Sequence, residues 1–153
     1  MKPLIIGICG GSGSGKTTLL KKIKSALGHE NVSVFTMDNY YLPKEEQARD
    51  KNNSVNFDLP TALNEKQLCL DLQQLISGEE IKVKEYFFNA PVNETKTVSI
   101  APNKVIIVEG LFLFYFEAVR ASLDFSIYVD VDPKHQLSRR MVRDQKTRGY
   151  SRE

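Results

Sequence analysis

Gly10, Gly15, Lys16 and Thr17 stand at the fixed places of the pattern GxxxxGK followed by Ser or Thr. The chemistry such a run serves is phosphate binding. Its glycines let successive backbone N–H groups converge on phosphate oxygens, and the start of a following helix adds positive potential. Lys16 contributes a full charge, and the Thr17 hydroxyl stands where a magnesium ion bridging two phosphates would sit. Gly11, Ser12, Gly13, Ser14 and Thr18 complete the cradle. The implied ligand is a nucleoside triphosphate, ATP or GTP, with Mg2+.

Three carboxylates form the next set. Asp38, Glu109 and Asp130 each follow an apolar run, and in a parallel sheet ligands bind beyond the carboxyl ends of the strands. Phosphoryl transfer needs neutralised phosphate charge and an acceptor hydroxyl that loses its proton. Lys16 and magnesium answer the first need; Asp38, at the start of a loop, is the best-placed candidate for the second. Glu109-Gly110 closes a run like the second magnesium-associated strand of phosphate-loop enzymes. Asp130 reads as structural, because Asp132-Pro133 just after it marks a helix start.

Arginines form the last constellation. Arg139, Arg140 and Arg143 lie three and four residues apart and share a helix face, with Arg148 just beyond. Behind a phosphate loop such a face serves as a lid that excludes water and stabilises the transferring phosphoryl group.

These residues need elements to position them. Residues 3–9 read as a buried strand leading into the loop, and residues 18–27 as a helix closed by Gly28. Further strands are expected over 32–37, 104–108 and 125–129, and helices over 64–76 and 133–146. Alternating strands and helices predict an α/β fold, a four-stranded parallel sheet flanked by helices. Residues 81–86 and 96–100 alternate as a two-stranded excursion on the substrate side. Residues 42–60 read as a polar loop.

Composition narrows the rest. The 153 residues suit one domain, 1–153. With 21 basic and 19 acidic residues the formal charge is +2, which calls for no nucleic-acid partner. No apolar run reaches membrane-spanning length, and no cleavage signature marks the N-terminus. Cys9 and Cys69 lack metal or redox spacing, which fits a reduced, cytoplasmic setting; His29 and His135 have no ligand spacing. The composition is compatible with a homo-oligomer.

Taken together, the motifs resemble the uridine kinase family of phosphate-loop nucleoside kinases. Residues 10–18 match the phosphate loop, and Met37-Asp38-Asn39-Tyr40-Tyr41 the acidic motif after the second strand. Asn56-Phe57-Asp58-Leu59-Pro60-Thr61-Ala62 resembles the family's Phe-Asp-x-Pro-x-Ala segment. Val108-Glu109-Gly110 matches the Glu-Gly turn, and residues 130–132, 137–144 and 148–149 the lid. The resemblance implies that Asp38 is the base for a ribose 5′-hydroxyl and that Thr17, Glu109 and Asp38 surround magnesium. It further implies that Asp58 holds ribose hydroxyls and that Tyr86 and Phe88 line a base pocket. Arg140 would face the nucleoside, and Arg143 and Arg148 the phosphates.

Three departures stand against that pattern. Pro91 takes the place of an expected histidine, which predicts weaker or redirected discrimination among bases. Tyr150 replaces a basic residue, and the sequence stops at Glu153 where the family continues, so a C-terminal region is expected to be lacking. The expected activity is ATP- and magnesium-dependent phosphorylation of a pyrimidine nucleoside. The alternatives are a kinase for another small alcohol, like phosphoribulokinase or pantothenate kinase, and a non-catalytic nucleotide-binding protein.

Overall fold

The computed structural model describes residues 2–88 and 96–147. Apolar residues dominate strand β1 (Leu4–Gly10) and strand β5 (Val105–Gly110), as expected of strands buried on both faces. With β2 (Val32–Thr36) and β6 (Phe125–Val129) they form one parallel sheet in the order β2-β5-β1-β6. The register pairs Ile6 with Ile107 and Ile8 with Ile127. From β1 the chain crosses to β2 on one side and later places β6 on the other. The phosphate loop, at the carboxyl end of β1, therefore sits where the winding reverses.

Helix α1 (Lys16–Leu27) covers one face of the sheet, packing Leu19, Leu20 and Ile23 against Ile8, Val32 and Ile107. Helix α2 (Glu65–Ile76) and helix α3 (Glu117–Ser122) cover the other. The sequence of α2 explains its place. The Asn64 side chain caps it by accepting from the Gln67 N–H at 3.1 Å, and Leu68, Leu72 and Leu75 recur on the buried face. Each such leucine stabilises the packing by about 1.5–3 kcal/mol. Strands β3 (Ile81–Lys84) and β4 (Thr97–Ile100) pair antiparallel as the expected excursion, with Ile81 opposite Ile100. Helix α4 (Pro133–Thr147) starts where Asp132 accepts from the Lys134 N–H at 2.8 Å.

Three features differ from the sequence reading beyond shifts of a residue or two at element ends. The second strand stops at Thr36, and Met37–Tyr40 forms a 3-10 turn, because Met37 and Tyr40 both turn into the core. The loop over 42–60 is more organised than its polarity suggests. It holds a 3-10 turn at Lys44–Glu46 and a bridge between Arg49 and Val55, and Asp50 accepts from the N–H groups of Asn52 and Ser54. Helix α3 has no counterpart in the sequence reading. Along the far edge, β6 leaves Phe125 and Tyr128 each 62% exposed.

Candidate active site

The loop between β1 and α1 needs glycine at two places for distinct reasons. Gly13 has φ +83°, and a Cβ there would stand 2.9 Å from the Gln136 carbonyl of α4. A Cβ on Gly11 would run into the Gln136 side chain. The absence of side chains thus lets α4 lie directly on the phosphate loop. Lys16 Nζ donates to the carbonyl oxygens of Gly10 and Gly11 at 2.8 and 3.0 Å, while Ser14 of the same loop is buried.

Asp38 and Glu109 stand close enough to Lys16 to bias its charge. Burial pushes the Lys16 ammonium below its ordinary value, and Glu109 and then Asp38 pull it back. Glu109 is pushed above the ordinary carboxylate range, first by burial and then by the charge of Asp38. Thr36 and Lys16 oppose that rise; Thr36 Oγ1 donates to Glu109 Oε1 at 2.5 Å and accepts from the Asp38 N–H at 3.3 Å. The Asp38 and Glu109 carboxylates and the Thr17 hydroxyl line one cleft and make an oxygen-only donor set of the kind Mg2+ takes. Among the described residues no three His, Cys, Asp or Glu side chains group to hold a metal alone. An ion here would complete its shell with phosphate oxygens and water.

These residues border a cleft of about 1100 Å³. Its walls include Lys16, Thr17, Asp38, Glu109, Asp58 and Phe88. Arg140 of α4 pairs with Asp58 at 2.8 Å and with Asp144, one turn on, at 3.6 Å. Arg143 donates to the Ser12 hydroxyl at 2.8 Å and to Asp144 at 2.8 Å. The arginine face therefore bridges the phosphate loop and the loop that bears Asp58.

An aromatic cluster forms part of the wall. The Phe88 ring lies 5.4 Å from Tyr41, 5.1 Å from Phe57 and 5.1 Å from Tyr86. Tyr86 stands beside the cleft rather than on its wall, whereas Tyr41 and Phe57 line it. Neither Tyr41 nor Phe57 stands among the site residues read from sequence, although both lie in quoted motifs. Asp144 was also missed, although its spacing of four from Arg140 is a visible signal. Asp130 turns its carboxylate to the next N–H, that of Val131, at 3.0 Å, in keeping with a structural part. Arg148, Pro91 and Tyr150 lie outside the described residues.

Against known proteins, residues 5–153 match the family model described as phosphoribulokinase / uridine kinase family. The chain belongs to this family. It is 35% identical over 151 residues to the uridine kinase of Lactobacillus helveticus, covering 98% of this chain and 72% of that enzyme. It is 33% identical over 153 residues to the uridine kinase of Deinococcus deserti, covering all of this chain and 74% of that enzyme. In fold it is similar to a possible uridine kinase from Bacillus stearothermophilus. The TM-score is 0.68 and the identity 20%, covering 97% of this chain and 84% of that one. The phosphoribulokinase / uridine kinase fold accounts for the parallel sheet, the phosphate loop and the covering helices together.

Proposed function

We propose that this protein transfers the γ-phosphoryl group of ATP, with Mg2+, to the 5′-hydroxyl of a pyrimidine nucleoside. The observation that carries the reading is a single cleft joining Lys16 and Thr17 of the phosphate loop, the Asp38 and Glu109 carboxylates, and the Asp58–Arg140 pair beside an aromatic wall. The uridine kinases above support the substrate class.

Each group then has a part. The triphosphate lies over the loop N–H groups, with Lys16 against its outer phosphates. Thr17, Asp38 and Glu109 would hold Mg2+, which when bound neutralises charge on the phosphate oxygens. Asp58 accepts from ribose hydroxyls, and the rings of Tyr41, Phe57 and Phe88 offer faces to a planar base. Asp38 takes the proton of the 5′-hydroxyl as that oxygen bonds to phosphorus and the bond from phosphorus to the ADP oxygen breaks. Nucleoside 5′-monophosphate, ADP and one proton leave. Arg143, held at Ser12, stabilises charge on the moving phosphoryl group, and α4 shields it from water. We place the reaction in the cytoplasm, the reduced setting that the free thiols of Cys9 and Cys69 fit.

The test is turnover with ATP and Mg2+ across uridine, cytidine, purine nucleosides and small alcohol metabolites. The expected result is ADP and pyrimidine nucleoside monophosphate in equal amounts. Turnover of another alcohol alone, or triphosphate binding with no turnover, would replace this reading.

A further inference from the structure

The 3-10 turn at Met37–Tyr40 is gripped from a side that never meets the cleft. Tyr40 is 5% exposed, stacks on Phe35 with ring centroids 5.3 Å apart, and donates its hydroxyl to Asp71 Oδ2 at 2.8 Å. Asp71, on α2, is itself 8% exposed, and its other oxygen accepts from Gln67 Nε2 at 2.7 Å. The Gln67 N–H donates to Asn64 Oδ1, and the Asn64 N–H donates to the Tyr40 carbonyl at 2.8 Å. The contacts close into a ring: Tyr40 side chain, Asp71, Gln67, Asn64, Tyr40 main chain. Burial first, and the Asp71 carboxylate second, push the Tyr40 phenol up, so it stays a donor across the physiological range.

A carboxylate at this place is hard to justify by stability. The neighbouring residues of α2 on the same buried face are Leu68, Leu72 and Leu75. Replacing both partners of a buried hydrogen bond by apolar side chains of like shape can be nearly neutral or stabilising. What the ring supplies is direction. It fixes both the side chain and the carbonyl of the residue that ends the turn, while Thr36 and Glu109 fix the turn's beginning. Asp38 lies between those two anchors.

We propose that Tyr40, Asp71 and Gln67 are positioning residues that hold the Met37–Tyr40 turn so that the Asp38 carboxylate stands at the acceptor hydroxyl. The inference rests on the reading of Asp38 as the base. A displacement of about 1 Å at a reacting group can cost on the order of 100-fold in rate, so a loosened turn should be visible in kcat while nucleotide binding is spared.

The experiment compares Tyr40→Phe, Asp71→Asn and the double variant Tyr40→Phe/Asp71→Leu, with Asp38→Asn and the wild type alongside. For each, kcat, both KM values, ATP affinity and Tm are measured. Tyr40→Phe is expected to lower kcat about tenfold or more, with ATP affinity within about twofold. Asp71→Asn keeps an acceptor for the Tyr40 hydroxyl and, with the Gln67 amide turned so that its oxygen accepts from the new NH2, should stay within about threefold of wild type. The double variant leaves no buried carboxylate unpaired, so its Tm should return toward wild type while kcat stays low. A double variant with wild-type kcat, or losses of kcat that simply follow Tm, overturns the positioning role and leaves Asp38 as base. A wild type that phosphorylates no nucleoside, or an Asp38→Asn variant that keeps turnover, overturns the base assignment and this role with it.

Discussion

Asp38→Asn preserves side-chain size and much of the hydrogen bonding but removes the charge and the capacity to accept a proton. A general base contributes typically about 100- to 10,000-fold, so turnover should fall at least roughly 100-fold, with ATP binding and Tm little changed. A variant keeping more than about a tenth of the wild-type rate would shift the base to Glu109 or Asp58. Glu109→Gln should behave differently. The folded protein raises the pKa of Glu109, so its stabilising contribution is complete below the unfolded value and disappears as pH rises through the folded one. At neutral pH, without nucleotide, the charged group is a cost. Glu109→Gln should therefore raise Tm, and should do so while weakening Mg-ATP binding. Unchanged or lowered Tm in that variant would mean that Thr36 and Lys16 already compensate its burial. Both carboxylates were legible in the sequence because an apolar run stops at each. The turn beneath Asp38 was not, because Met37 and Tyr40 are as apolar as the strand they follow.

Helix α4 shows how an element can be legible while its use is not. The spacing of Arg139, Arg140 and Arg143 on one face was plain. Contact with Ser12 was not, because no local pattern encodes a partner 131 residues away. The same holds for Gln136 over Gly11, a close approach set by two glycine positions and a helix far along the chain. Helix α3 escaped altogether: six residues give less than two turns of periodicity, and the aromatic run before them has no period of its own. For the element as a whole, Arg143→Ala is the informative change. If its guanidinium stabilises charge that develops as the phosphoryl group moves, kcat should fall by about 10- to 100-fold with nucleoside KM within a few-fold. A rise in nucleoside KM alone, with kcat intact, would assign Arg143 to substrate binding instead.

At the scale of the molecule, one rim of the parallel sheet gathers residues from across the chain, and its winding reversal sets the phosphate loop there. That much followed from the alternation of strands and helices. The aromatic cluster did not, because Tyr41, Phe57, Tyr86 and Phe88 meet only once the loop over 42–60 and the β3–β4 excursion pack together. A cleft assembled from so many segments ties ligand binding to the stability of the whole fold. Mg-ATP at about 100 times its Kd should stabilise the native state by about 2.7 kcal/mol, a rise in Tm of about 5–10 °C for a domain of this size. Lys16→Ala removes the one full positive charge inside the phosphate loop, and its ammonium is already costly to bury there. Without ligand the variant should stay near wild type in Tm, because relief of that burial is offset by the lost bonds to the Gly10 and Gly11 carbonyls. With Mg-ATP at the same concentration it should lose more than about half of the rise, because the lost contact is charge-assisted. Thermal shift with and without Mg-ATP separates the two effects. An equal rise in both proteins, together with equal turnover, would mean that Lys16 does not meet the phosphates, and the phosphate loop would no longer anchor the site.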